Sequence, residues 1–394
     1  MSSASFDVIV AGAGMVGAST ALAMAGKGFR VAIIEPAAPR DKINISDEVY
    51  DLRVSAISPR SRGVLQQLGV WQQLADERVC YYEQMHIWHQ HGQASVAFDA
   101  VDLARSNLGA IVENRLLQQT LYQVCERESR IEWFMPDQIE TLLENNARGV
   151  ELRLNSGRCL SAGLLLAADG RNSPTRTLAG IDVQHGQYRQ TAIVANVETE
   201  YPHRHTAWQR FLSTGPLAFL PLANGQSSIV WSCDDEFAAQ LDVATDDEFC
   251  DALGKAFEFK LGRVGSCSAR MSFPLGWHHC QHWLKDRVLL IGDAAHSVHP
   301  LAGQGVNLGF SDVDVLTQLV GDRSDYIQHK QLRRYERQRK SETWVAGNSF
   351  GALKWIYGLD QKWVTRLRDI GMRVVDETPW FKRALLEKAI QNIT

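Results

Sequence analysis

The chain has 394 residues, 45% of them apolar and 22% charged, an ordinary globular composition that excludes a disordered, collagen-like or disulfide-stapled miniature protein. Forty-one Lys plus Arg against 45 Asp plus Glu give a formal charge of −4, so nothing in the whole-chain electrostatics favours nucleic acid as a partner.

The opening residues lead straight into Phe6-Asp7-Val8-Ile9-Val10, without the basic, apolar and small-residue segments of a secretory signal. No apolar run approaches the roughly 18 residues that a spanning helix needs, and the chain is not expected to be integral to a membrane. Residues 6–35 form the most legible unit: a predicted strand, the turn Gly12-Ala13-Gly14-Met15-Val16-Gly17, a helix of small residues through Ala25, and a second strand Val31–Ile34 ending in Glu35. Gly12 permits the tight turn, Gly14 lets the main chain approach a pyrophosphate, and Gly17 lets the helix pack on the sheet. Free N–H groups at the helix start attract phosphate. Glu35, 18 positions past Gly17, stands where a carboxylate accepts hydrogen bonds from an adenosine ribose. The unit points to a dinucleotide and does not by itself separate NAD from FAD.

Leu164–Ala168 reads as a buried strand running into Asp169-Gly170-Arg171-Asn172-Ser173-Pro174-Thr175-Arg176, either a capped turn or a second cofactor contact. Residues 183–275 alternate apolar and polar types over short runs, which predicts an antiparallel sheet with one buried face. Such a sheet can floor a pocket, with Phe219, Pro221, Leu222, Trp231 and Phe273 as candidate apolar lining. His278, His279, Cys280 and His282 lie close in sequence, but they lack the i, i+4 spacing and the carboxylate of catalytic zinc sites, and no metal is assigned. The seven cysteines are odd in number and scattered, as reduced core residues are.

Val288–Ile291 is another buried strand, leading into Gly292-Asp293-Ala294-Ala295-His296 and then Pro300-Leu301-Ala302-Gly303-Gln304-Gly305-Val306-Asn307. Glycines in 300–305 let backbone N–H groups face a ring, and a helix over 306–320 would direct its positive end there. Towards the C-terminus, 15 basic and 9 acidic residues give 321–394 a net charge of +6, against −10 for the remainder. Arg333, Arg334, Arg337, Arg339 and Lys340 precede Trp344, Phe350, Trp355 and Trp363. This region reads either as a solvated helix face followed by packing aromatics or as an amphipathic surface resting on an anionic membrane.

Taken together, the turns at 12–17, 169–176 and 292–309 stand in an order and spacing that resemble the FAD-dependent aromatic hydroxylases typified by p-hydroxybenzoate hydroxylase, over essentially residues 1–375. The resemblance implies an α/β fold: a Rossmann-like FAD-binding domain (1–75, 106–182 and 276–330) interwoven with an antiparallel-sheet substrate domain (76–105 and 183–275), plus C-terminal helices (331–394). It further implies that Gly12, Gly14, Gly17, Glu35, Arg53, Asn114, Asp169, Gly292, Asp293, Pro300, Gly303, Gly305, Val306 and Asn307 hold FAD. Gly14 to Gly17, Leu52 to Ile57, Leu68 to Trp71, Val112 to Asn114, Ala218 to Leu222 and Gly292 through Phe310 are similar to the ubiquinone-biosynthesis branch, the UbiH/UbiF/UbiI-VisC type. Asn114 departs from the arginine of the wider family in favour of that branch.

By this resemblance the chain is a monooxygenase: NAD(P)H reduces FAD, O₂ adds to give a C4a-hydroperoxide, and one oxygen passes to a polyprenylated phenol or quinol, as in 2-polyprenylphenol hydroxylation. With only one GxGxxG present, the nicotinamide would visit transiently. Pro300, His296 and His299 are the candidate catalytic residues, with Tyr188 a further candidate base. Expected surroundings are the cytoplasm, the inner membrane surface and other ubiquinone-biosynthesis proteins. A soluble salicylate- or phenol-type hydroxylase and a non-catalytic flavoprotein assembly subunit are the competing readings. The absence of Trp-x-Trp-x-Ile argues against a flavin halogenase.

Overall fold

A computed structural model of the chain describes residues 4–38, 49–90, 94–297, 305–323, 327–358 and 362–390. Among these residues the strands form sheets of eight, nine and three, and the fold is mixed α/β. In the first sheet the strand Ala4–Ala11 runs parallel between Val31–Ile34 and Cys159–Ala167, with Ile131–Phe134 and Val288–Leu290 extending the parallel array on either side. Val8, Ile9, Val10, Leu164, Leu165, Leu166 and Val288 are wholly buried. Parallel strands covered on both faces need such continuous apolar runs.

The helix Met15–Gly26 is buried along nearly its whole length, which its small residues permit. It packs between the helices Asn114–Arg127 and Gly305–Leu319. Its approach to the sheet is dictated by two glycines. Gly12 has φ +94°, and a Cβ there would lie 2.6 Å from the Ala168 carbonyl oxygen. A Cβ on Gly17 would lie 2.0 Å from the Gly12 carbonyl oxygen.

The nine-stranded sheet draws on Gln84–Asp99, Val183–Cys280 and His296–Ser297. Both of its faces are covered, where the sequence suggests one. Ile193, Phe219, Ile229 and Trp231 point towards the helices Asp235–Val243 and Asp246–Ala256, joined by Phe249 and Leu253. Residues of the other parity, including Ala218 and Leu220, meet Val54, Ala56, Tyr82 and Ile111 of the three-stranded sheet. The polar residues that gave the alternation, Ser228 and Ser232, are themselves buried. Small hydroxyls are tolerated inside, so period two marks the two faces without saying which is wet.

Two features tie the peripheral segments down. Glu113 is buried and accepts from Arg78 Nε at 2.6 Å, Arg78 Nη2 at 2.8 Å and the Asp51 amide at 2.6 Å. At the far edge, the helix Lys362–Glu377 lies on the strand Ser95–Asp99. There Asp369 accepts from His89 Nε2 and the Ala94 amide, both at 3.1 Å, and Met372 is buried against Ala94 and Val96.

Replacing Gly17 with Ala is expected to destabilise the protein by about 1–3 kcal/mol despite alanine's better helix propensity, because the methyl group meets backbone that cannot yield. A lowered urea midpoint at unchanged m-value measures this. An unchanged midpoint would show that the turn has slack.

Candidate functional site

Beyond the carboxyl ends of the parallel strands, where ligands settle in open α/β sheets, two hollows of about 400 and 330 Å³ adjoin each other; Gly14, Ala168 and Gly170 line both. Gly14 faces open space, with no heavy atom of the described residues beyond its chain neighbours within 4 Å of where a Cβ would stand.

The smaller hollow is walled by Gly12, Ile34, Glu35, Gln118, Asp169 and Thr175. Glu35 braces the glycine turn, its Oε2 accepting from the Ala13 amide at 2.7 Å, while the residue stays on the wall. Asp169 is a capping carboxylate: it accepts from Ser173 Oγ and from the Thr175 amide at 2.9 Å. Its two oxygens therefore serve the start of the helix Pro174–Leu178, as one of the two sequence readings has it, on the edge of the hollow.

The larger hollow has two dissimilar walls. One is made of turns and helix ends: Gly14, Met15, Val16, Asp293, Gly305 and Val306. Val16 locks this wall, since a Cβ on Gly292 would meet its Cγ1 at 3.1 Å and one on Gly309 its Cγ2 at 2.4 Å. The start of the helix Gly305–Leu319 thus opens onto the same space as the start of Met15–Gly26. The other wall is apolar sheet: Val194, Val230, Phe273, Pro274 and Leu275. Arg53, Asn114 and Arg171 also line it. Asn114 Oδ1 accepts from Ser55 Oγ at 2.6 Å, and its backbone N–H donates to the Arg53 carbonyl at 2.9 Å.

Asp293 is open to the hollow but flanked by protein elsewhere. That crowding raises its pKa from the usual carboxylate range, against the pull of His296, Arg53 and Arg171. His278 supports it from behind, donating Nε2–H to the Asp293 carbonyl at 2.7 Å. The His278 Nδ1 is buried with no hydrogen-bond partner among the described residues, and burial brings the imidazole down to about 4.

The structure therefore brings Gly12, Gly14, Glu35, Arg53, Asn114, Asp169, Asp293, Gly305 and Val306 around two joined hollows. Gly17 and Gly292 stand behind the walls as packing positions. Asn307 is a correction: its Oδ1 accepts from the Ser58 amide at 2.9 Å and its Nδ2 donates to the Ala56 carbonyl at 2.7 Å, so its side chain staples helix to strand. Phe219 and Trp231 are likewise corrected. They face the helices, Phe219 stacked on Phe257 at 3.9 Å and Trp231 edge-on to Phe237 at 5.5 Å. Leu222 packs towards the three-stranded sheet, and neither it nor Pro221 lines either of these two hollows. Of the five expected lining residues, Phe273 alone is on the wall.

Phe273 lies opposite Ala192 in register, and Val194 lies opposite Val230. One correct residue and strict alternation would have identified both valines. His296 lines the larger hollow, but its Nε2 is committed to Asp312 Oδ2 at 2.8 Å and its ring is stacked on Trp283 at 4.9 Å. His299, Pro300 and Gly303 lie outside the described residues. Among the described residues no three His, Cys, Asp or Glu side chains are grouped to hold a metal ion.

Residues 5–346 match the family described as an FAD binding domain. The chain is 33% identical over 388 residues to the 3-demethoxyubiquinol 3-hydroxylase of Escherichia coli K12, covering 98% of each protein. It is 32% identical to the mitochondrial ubiquinone biosynthesis monooxygenase COQ6 of Xenopus tropicalis, covering 94% of this chain and 90% of that protein. In fold it resembles p-nitrophenol 4-monooxygenase PnpA of Pseudomonas putida DLL-E4, with a TM-score of 0.78 at 17% identity over 99% of this chain and 98% of that one.

His278 makes a pH prediction. Its pKa is lower folded than unfolded, so its contribution to stability is fully present above about 6.5 and is lost progressively as pH falls towards about 4. The melting temperature should therefore decline between pH 7 and 5, and His278→Gln should flatten that decline. An identical slope in the variant would show that His278 is not neutral in the fold.

Proposed function

We propose, since this chain belongs to the FAD-binding family of flavin monooxygenases, that it hydroxylates the aromatic ring of a polyprenylated phenol or quinol, such as a 2-polyprenylphenol, on the route to ubiquinone. The observation that carries this reading is the pairing of walls in the larger hollow: glycine turns and two helix starts on one side, apolar sheet on the other. A dinucleotide fits the polar side. Gly14 leaves the space a side chain would fill, and the adjoining hollows give it two compartments.

On this reading Gly12, Gly14 and Glu35 hold the adenosine and pyrophosphate portion, and Asp293, Arg53 and Asn114 the remainder. When bound, FAD supplies the electrons and the oxygen-transfer chemistry, with NAD(P)H as reductant and O₂ as oxidant. The protein supplies the surroundings. The positive end of the helix Gly305–Leu319 stabilises negative charge in the larger hollow. Val194, Val230 and Phe273 give the ring of the substrate a dry surface, which keeps water from diverting the reaction. The nicotinamide cofactor docks transiently, as the single GxGxxG implies.

A prenyl tail holds its substrate in lipid, each buried CH₂ contributing about 0.8 kcal/mol, so the enzyme must reach a membrane surface. Support comes from the basic surplus of 321–394 and from apolar side chains left uncovered there: Ile370 is 57%, Val374 50% and Trp380 74% exposed. We read this region as a peripheral contact with the cytoplasmic face of the membrane. No helix among the described residues is long and apolar enough to cross a bilayer.

Purified protein should be yellow and should oxidise NAD(P)H faster when a prenylated phenol is added, with a product one oxygen heavier by mass spectrometry. Asp293→Ala should lose the colour and the activity together. A response to short-chain phenols alone would favour a soluble aromatic-degrading enzyme, and no response to any phenol a non-catalytic subunit. For the surface contact, changing Ile370, Val374 and Trp380 together to Ser should abolish co-flotation with anionic vesicles. Undiminished flotation would refute the assignment.

A further inference from the structure

We infer that Arg339, with Asp312, is a positioning residue of the cofactor cleft: together they hold the Gly292–Asp293 turn in place and keep the positive end of the helix Gly305–Leu319 uncancelled. The inference rests on the flavin reading above for its electronic part and on geometry alone for its mechanical part.

Asp312 lies two turns into that helix and is wholly buried. Its Oδ2 accepts from the Gly292 amide at 2.8 Å and from His296 Nε2 at 2.8 Å, and its Oδ1 accepts from Arg339 Nε at 2.6 Å. Arg339 is equally buried and reaches forward from the helix His329–Gly358 to the Leu308 carbonyl at 3.2 Å, in the first turn of the neighbouring helix. One carboxylate thus joins three segments that are distant in sequence. Glu342, one turn along, contacts Arg339 from the solvent side and is 15% exposed. Burial alone would push the Asp312 pKa up, but His296 and Arg339 outweigh it and hold the carboxyl below its usual range.

The sequence places Arg339 in a basic stretch that reads as a solvated helix face or as a membrane-facing surface. It belongs instead to the inward face of the helix with Leu332 and Tyr335, while Arg333, Arg334 and Arg337 point outwards. A buried arginine needs a reason, and its fork supplies two directed bonds that a lysine could not reproduce. There is also a charge argument. Asp312 stands behind Gly292, close to the helix start that faces the larger hollow, and unopposed it would offset that positive end. Arg339 neutralises it where little water is available to do so.

The test uses the full-length protein with Arg339→Met, Arg339→Lys and the double variant Asp312→Asn/Arg339→Met. In apo protein, Arg339→Met should speed hydrogen exchange at the Gly292 amide relative to wild type. With FAD, it should raise the dissociation constant about tenfold or more and shift the reduction potential of the bound flavin to more negative values. Arg339→Lys should keep the potential near wild type while still weakening FAD binding. The double variant, neutral at both positions, should return the potential towards wild type, which a purely structural lesion would not do.

Unchanged exchange at Gly292 together with unchanged FAD affinity in Arg339→Met would overturn the inference. Should that variant not fold, a wild-type FAD affinity in folded Arg339→Lys, or a double variant with a potential far from wild type, would overturn it equally. A wild-type protein that takes up no FAD would instead refute the flavin reading, and the exchange measurement would still decide the positioning role.

Discussion

Val16 occupies the space that side chains at positions 292 and 309 would need, and the arrangement of the site follows from that contact. It presses the first helix, the Gly292–Asp293 turn and the helix Gly305–Leu319 into one packed unit. Close packing of this kind has little give, because a backbone without a Cβ can approach a branched side chain but neither can then retreat. Two helix starts consequently face a single space, and residues nearly 300 positions apart in the chain become neighbours.

Around that unit the molecule divides its labour by chemistry. The parallel sheet supplies glycine turns and unsatisfied N–H groups, which suit phosphate and developing negative charge. The nine-stranded sheet supplies an apolar surface that excludes water. On the proposed function, neither surface alone would support oxygen transfer to a ring. Their opposition across one hollow accounts for why the two sheets are interleaved along the chain, with strands such as His296–Ser297 passing from the cofactor side to the edge of the other sheet.

The parts of this arrangement legible in the sequence were those where backbone conformation restricts residue choice. Gly12, at φ +94°, and Gly17, with no room for a methyl group, are recognisable because few alternatives exist. The same holds for the apolar runs of the parallel strands. The lining of the hollow was harder to read because aromatic size was used as a guide: Phe219 and Trp231 are large but lie on the opposite parity of their strands, and Val194 and Val230 do the work at the wall. Asn307 and Arg339 misled for a related reason. A polar side chain carries no mark in the sequence of whether its hydrogen bonds end on a ligand, on water or on another segment of the same protein, and both prove to be internal ties.

The last strand of the nine-stranded sheet, Ser95–Asp99, has no neighbour on its outer side within the sheet among the described residues. Asp369 and Asp376 of the helix Lys362–Glu377 take the amides of Ala94 and Ala97, so two donors at this edge that would invite a strand from another molecule are already engaged. The C-terminal helices accordingly act as a stopper against edge-to-edge polymerisation. A protein shortened from this end would be sticky for reasons unrelated to its chemistry.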